Sequence, residues 1–151
     1  MAMDLQEISD RMEIQELMVR YAHCIDTRNF AGLDQVFTDD AYIDYRALGG
    51  AAGSLAQTQE FLGKAMPMFK SFQHLVANTW IEFDRDGDAA RARTICHNPM
   101  VMEREGREHV FVCGLWYVDD LVRTEAGWRI RKRVEERCYV DNMPGDLRPP
   151  A

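Results

Sequence analysis

From Gln73 to Val140 the chain is written as four long strand-forming segments, 73–84, 88–104, 108–124 and 127–140. Three short turn signals part them: Arg85-Asp86-Gly87-Asp88, Glu105-Gly106-Arg107 and Glu125-Ala126-Gly127. Gly and Asp in such clusters supply the backbone conformations a tight antiparallel reversal needs. Strands of this length twist and curve, and a curved sheet needs something to fill its concave side. Helical patterns precede the strands, so the order of parts predicts an α+β domain with N-terminal helices packed in one curved antiparallel sheet. The domain is expected over 1–140. The segment 141–151 has no periodicity and is expected to fray or to lie over a neighbour.

The helices are read from spacing and caps. Leu5, Ile8, Met12, Leu17, Met18, Tyr21, Ala22 and Ile25 recur at helical intervals from Asp4 to about Thr27, and Asp4 with Glu7 three residues on marks the start. Phe30 to Phe37 reads as a short second helix, Ala41 to Tyr45 as a strand, and Gly49 to Gly53 as a flexible loop. Ser54 with Gln57 restarts a helix toward Lys70, and Pro67 is placed to bend or end it.

The segment 108–124 is apolar on both alternating faces, with Val110, Val112, Trp116 and Val118 on one and Phe111, Cys113, Leu115 and Tyr117 on the other. One face can line the domain's own core. The other calls for cover, which predicts a homo-oligomer assembled sheet to sheet.

Composition removes several classes of function. A formal charge of -7 argues against nucleic acid as a partner. Arg129, Arg131, Lys132 and Arg133 alternate with Val, Ile and Trp as on a solvated sheet face. No apolar run reaches the roughly 18 to 20 residues of a membrane span, and the acidic N-terminus does not resemble a signal peptide, so a cytoplasmic location without membrane contact is expected. Cys24, Cys96, Cys113 and Cys138 lack metal-binding spacing and read as reduced, mostly buried thiols. Phosphate-loop, nucleophile-elbow and zinc-protease motifs are absent, so neither metal nor cofactor is expected.

Chemistry can reside in a few polar residues that fall on inward faces. Asp26 lies in line with the apolar stripe of the first helix, in its last turn, where the helix dipole disfavours an anion and a cationic or proton-bearing partner is favoured. The same position also suits a carboxylate in water or one bonded to loop N–H groups. His74 opens the first long strand and is expected to share a face with Val76, Asn78 and Trp80. It is either a satisfied core histidine or, if Asp26 meets it, a base whose tautomer that carboxylate fixes. Tyr21, on the same helix as Asp26, is a core tyrosine or a hydrogen-bonding phenol in a cavity. Tyr42, Trp80 and Trp116 are core filler or the walls of an aromatic pocket. Arg137 is either a binder of an anionic substrate group or the ion-pair partner of Glu135 or Glu136. Asn98, between His97 and the strand-breaking Pro99, is a further polar pocket candidate beside a possible bulge.

The order Tyr21-Ala22-His23-Cys24-Ile25-Asp26, Phe30 to Phe37, His74 at the opening of the sheet and Gly127-Trp128-Arg129-Ile130 near the end resembles the SnoaL-like proteins of the NTF2-like superfamily. The resemblance covers nearly the whole chain. It implies a cone-shaped α+β barrel, often trimeric, and in the dehydratase and dehydrochlorinase members a catalytic Asp–His dyad at the positions of Asp26 and His74. It also implies roles for Tyr21 and Arg137. An acidic pocket residue of one branch falls on Asn98, a departure that separates this chain from that branch's steroid substrate. The expected function is that of a cofactor-independent lyase, a dehydratase of a hydrophobic cyclic or aromatic hydroxylated molecule. An isomerase, an aldehyde-releasing carbon–carbon lyase, and a non-catalytic ligand-binding or assembly module stand beside it.

Overall fold

In the computed structural model, which describes residues 2–149, helix α1 runs over Leu5–Asp26, and the Asp4 carboxylate accepts the Glu7 N–H at 2.8 Å to fix its start. The stripe of α1 that enters the core begins only at Ile14. Leu5, Ile8 and Met12 lie exposed, so the first turns overhang the sheet. A 3₁₀ turn over Phe30–Gln35 replaces the expected second helix and leads into strand β1, Phe37–Asp44. Strand β2, Ala52–Ser54, precedes helix α2, Leu55–Ala65, which starts with a full capping box between Ser54 and Gln57. Pro67 sits in a 3₁₀ turn, Met66–Met68, that ends this helical stretch.

Strands β4 (Leu75–Phe83), β5 (Ala89–Arg104), β6 (Arg107–Thr124) and β7 (Gly127–Asp141) follow the predicted segments closely, and a short strand β3 (Ser71–Phe72), which the sequence reading did not include, precedes them. The sheet order is β2-β1-β7-β6-β5-β3, with β4 also on β5. Most pairs are antiparallel, but β1 runs parallel to β7, so the sheet is mixed and not purely antiparallel. Its concave face holds α1 and the core. Strand β5 passes through Pro99 with unbroken β6 register and no bulge. Pro99 faces the handover from β3 to β4, where its carbonyl accepts the Gln73 N–H at 3.1 Å, and a missing donor there costs little.

Three residues without a partner in the neighbouring strand reset the inward and outward faces. In β4, Ala77 pairs with Ile95 and Thr79 with Thr94, leaving Asn78 as a bulge with φ 40°. In β7, Arg131 is the extra residue between Ile130 and Lys132, and Cys138 the one between Arg137 and Tyr139. After Arg131 the inward set changes from Trp128 and Ile130 to Arg133 and Glu135. Arg133 is therefore not on a solvated face: it is fully buried.

Arg133 bonds the equally buried Asp119 through two contacts, Nε to Oδ1 at 2.8 Å and Nη2 to Oδ2 at 2.7 Å. Its guanidinium lies 4.1 and 4.0 Å from the ring centroids of Tyr21 and Tyr117, in the corner formed where the two rings meet edge to face. Burial works against the Arg133 charge, and the Asp119 carboxylate more than offsets it. A buried pair of this kind is replaceable as a unit but not by halves. Asp119→Leu, which strands the guanidinium, should lower unfolding free energy by about 3–5 kcal/mol. Asp119→Leu combined with Arg133→Met should recover most of that loss. Denaturant unfolding of the three proteins measures both, and a single variant as stable as wild type would show that the pair is not a structural tie.

Candidate active site

Asp26 and His74 meet. The Asp26 carboxylate, in the last turn of α1, accepts the His74 backbone N–H at 3.0 Å with one oxygen and contacts the ring Nδ1 at 2.7 Å with the other. Two bonds to one residue fix both where the segment before β4 lies and how the imidazole is turned. With Nδ1 held as a donor to the carboxylate, Nε2 carries the free lone pair. The imidazole stands between the edges of Tyr21 and Phe72, at centroid distances of 6.3 and 6.2 Å. Its side chain is only 8% exposed. Asn98 supports the arrangement by donating from Nδ2 to the Gln73 carbonyl at 2.7 Å. Arg28 spans the Met66 and Phe69 carbonyls, each at 2.8 Å, with its guanidinium over the Phe72 ring.

His74 lines a cavity of about 320 Å³. Ile25, Phe61, Leu62, Met66, Phe69, Met100 and Phe111 make it chiefly apolar, and Tyr21, Tyr45, Asn98 and Glu135 add the polar groups. The Tyr21 and Tyr45 hydroxyls lie 2.7 Å apart. Burial pushes the Tyr21 phenol up to about 12, so it is a neutral hydrogen-bond donor at ordinary pH. Met143 and Leu147 also line the cavity, and Arg104 bonds Asp146 at 2.8 Å. The segment after Asp141 therefore folds back over its own domain. The last two residues of the expected tail lie outside the described residues.

Of the eight residues singled out from sequence, Asp26, His74, Tyr21 and Asn98 come together, with Asp26 just behind the lining. The other four do not. Trp80 is 69% exposed, because the Asn78 bulge turns the rest of β4 over. Trp116 is on the outer face of β6, stacked under the Arg93 guanidinium at 3.9 Å. Tyr42 is 42% exposed on β1. Arg137 is exposed beside the Cys138 bulge and outside the cavity lining, while Glu136 pairs with Arg93 at 2.8 Å. Among the described residues no group of three or more His, Cys, Asp or Glu is arranged to hold a metal ion, and no helix is long and apolar enough to cross a membrane.

Glu135 is the site residue that sequence reasoning missed. Alternation from Trp128 and Ile130 puts odd-numbered residues outside, and only the Arg131 bulge reverses this. A signal was present: Arg131-Lys132-Arg133 places charge at three consecutive strand positions, which no strict alternation accommodates with one dry face.

A curved sheet closed around a helix, with a histidine and its orienting carboxylate opening on an apolar cavity, defines a small α+β pocket protein of the NTF2-like, cystatin-like fold. The chain belongs to the SnoaL-like domain family, whose model matches residues 6–134. It is 49% identical over 141 residues to an uncharacterised protein of Mycobacterium tuberculosis, covering 93% of this chain and 94% of that one. Among solved structures it resembles a candidate scytalone dehydratase from Novosphingobium aromaticivorans, with a TM-score of 0.80 at 16% identity over 95% of this chain and 94% of the other. It also resembles a hexachlorocyclohexane dehydrochlorinase from Novosphingobium barchaimii, with a TM-score of 0.78 at 19% identity over 99% and 100%. At these identities the two structures share the fold, and these fold relatives bear the names of lyases.

Burial pushes the Glu135 carboxyl up to about 8, with Arg133 opposing the rise and Asp44 adding to it. The folded protein thus holds this proton more tightly than the unfolded chain, where a glutamate titrates near 4.3. The stability this provides is complete below the unfolded value and is lost as pH rises through about 8. Glu135→Gln cannot ionise, so its unfolding free energy relative to wild type should climb between about pH 5 and 8 and level off above that. Thermal unfolding of both proteins across that range reads the difference, and a constant offset would mean that Glu135 titrates normally.

Proposed function

We propose that the chain is a cofactor-independent acid–base lyase, a dehydratase of a hydrophobic cyclic or aromatic hydroxylated small molecule. The observation that carries this is the 2.7 Å contact between Asp26 and His74 Nδ1 at the wall of an apolar cavity. Asp26 fixes the tautomer, and His74 Nε2 removes a proton from a carbon made acidic by a neighbouring carbonyl or aromatic ring. Tyr21, paired with Tyr45, hydrogen-bonds the substrate oxygen on which charge develops. The carbon–oxygen bond then breaks, the departing hydroxyl takes up the proton that His74 Nε2 has gained, and water leaves with the imidazole neutral again. A carrier or assembly module has no comparable use for an inward carboxylate that clamps an imidazole, and the lyase names among the fold relatives fit this chemistry.

Water loss from a panel of hydroxylated aromatic and alicyclic compounds, followed by mass spectrometry, tests the proposal. His74→Ala and Asp26→Asn should each lower turnover by about 10² to 10⁴-fold, the usual contribution of general acid–base help, while leaving the protein folded. A folded His74→Ala with wild-type turnover would end the mechanism.

The outer face of the sheet supports assembly into a homo-oligomer. Leu75, Trp80, Val110 and Tyr139 stand exposed on it, and Val112 and Trp116 are only partly covered. A trimer is the expected form, and light scattering should return three times the chain's mass. A monomer mass would overturn this part.

A further inference from the structure

Glu135 enters the cavity from the wall made by β7, and among the described residues nothing hydrogen-bonds its carboxyl. Of the other polar groups there, the two phenols bond each other, Asp26 holds His74 Nδ1, and Asn98 holds the Gln73 carbonyl, while His74 Nε2 and the Tyr21 hydroxyl are the groups assigned to the reaction. Among the described residues no Lys or Arg lines the cavity, and the buried Arg133 on the same strand bonds Asp119 through Nε and Nη2, with its Nη1 left without a partner. Glu135 is partly buried, and a carboxyl that meets an apolar cavity without a protein partner is left to bond water or a ligand there.

We infer that Glu135 is the ligand-recognising group of this cavity, its carboxyl donating a hydrogen bond to a hydroxyl or carbonyl oxygen of an uncharged ring compound, and that the cavity rejects carboxylates. This rests on the reading of the cavity as the substrate site and narrows the substrate class to neutral molecules. The surroundings agree. Arg133 on the same strand and Asp44 on β1 act on Glu135 with opposite sign. The phenols of Tyr21, Tyr45 and Tyr117 are all raised by burial, as are the thiols of Cys96 and Cys113, so none of them ionises near neutral pH. His74 is the remaining titratable group of the lining, and the Glu135→Gln variant isolates Glu135 from it.

Isothermal titration calorimetry with one ring skeleton tests this: tetralin itself, and tetralin bearing a hydroxyl, an ammonium or a carboxylate at the same carbon. The alcohol should bind wild type best below neutral pH. Glu135→Ala should weaken it about tenfold, the factor that corresponds to one net hydrogen bond. Glu135→Gln should keep most of the affinity, because its amide N–H donates in place of the acid. Raising the pH above about 8 should weaken the alcohol on wild type and leave Glu135→Gln unmoved. The inference is overturned if the carboxylate binds as well as the alcohol, if Glu135→Ala binds the alcohol like wild type, or if the alcohol fails to bind at millimolar concentration. An ammonium that binds best and tightens with pH would also overturn it, by making Glu135 a cation site. Asp26→Asn should bind the series as wild type does while losing turnover. The recognition inference and the lyase mechanism therefore fail separately.

Discussion

The buried Arg133–Asp119 pair is the tie on which the rest of the barrel depends. It joins β6 to β7 through two charge-assisted bonds, and Arg133 Nη2 reaches Met18 Sδ of α1 at 3.0 Å. The guanidinium lies over the rings of Tyr21 from α1 and Tyr117 from β6, which stand edge to face with each other. One side chain thus sets the distance between helix and sheet at the depth where the cavity begins. It also sets Tyr21, whose hydroxyl meets that of Tyr45 at the cavity wall. A hydrophobic residue in its place could fill the volume, but it would neither pair with Asp119 nor attract both ring faces to one fixed charge.

Two carboxyl groups near the cavity have opposite surroundings, and this is how one apolar site can hold both a base and an acid. Asp26 is bonded twice by His74, so its charge is used to orient the imidazole. Glu135 has no such partner, and burial raises it. Neither environment is encoded in the carboxyl itself. The first comes from placing an aspartate in the last helical turn against the opening of the sheet, the second from a bulge that points a strand residue inward.

Much of this was legible in the sequence. The three turn signals placed the hairpins, the capping residues placed both helix starts, and helical spacing put Asp26 on the inward stripe. What escaped was parity. A bulge is one residue without a partner, decided by the register with the neighbouring strand, and periodicity within a single strand does not reveal it. Asn78 removed Trp80 from the cavity, and Arg131 brought in Arg133 and Glu135. Asp119 was the readable clue: a lone carboxylate in the inward apolar set Phe111, Cys113, Leu115, Tyr117 and Leu121 requires a buried cation nearby. The segment after Asp141 lacks periodicity because it packs as an irregular cover, with Met143 and Leu147 as its contacts to the cavity.

The character of that wall bears on what can be discriminated. Met66, Met68, Met100 and Met143 line the cavity with unbranched, polarizable side chains that adapt to different shapes. Such a wall gives affinity to many ring systems and distinguishes poorly among them, since a methylene more or less in an apolar pocket is worth only about 1–3 kcal/mol. Discrimination therefore falls on the few polar groups with fixed positions. Tyr21 is fixed by Arg133, His74 by Asp26, and Glu135 by the bulge that aims it. Members of one fold family can share the deformable wall and differ in these groups, so the chemistry of each has to be argued from its own polar residues. In this chain those residues include acids and a base but no cation, and that selects against anionic substrates before shape is considered.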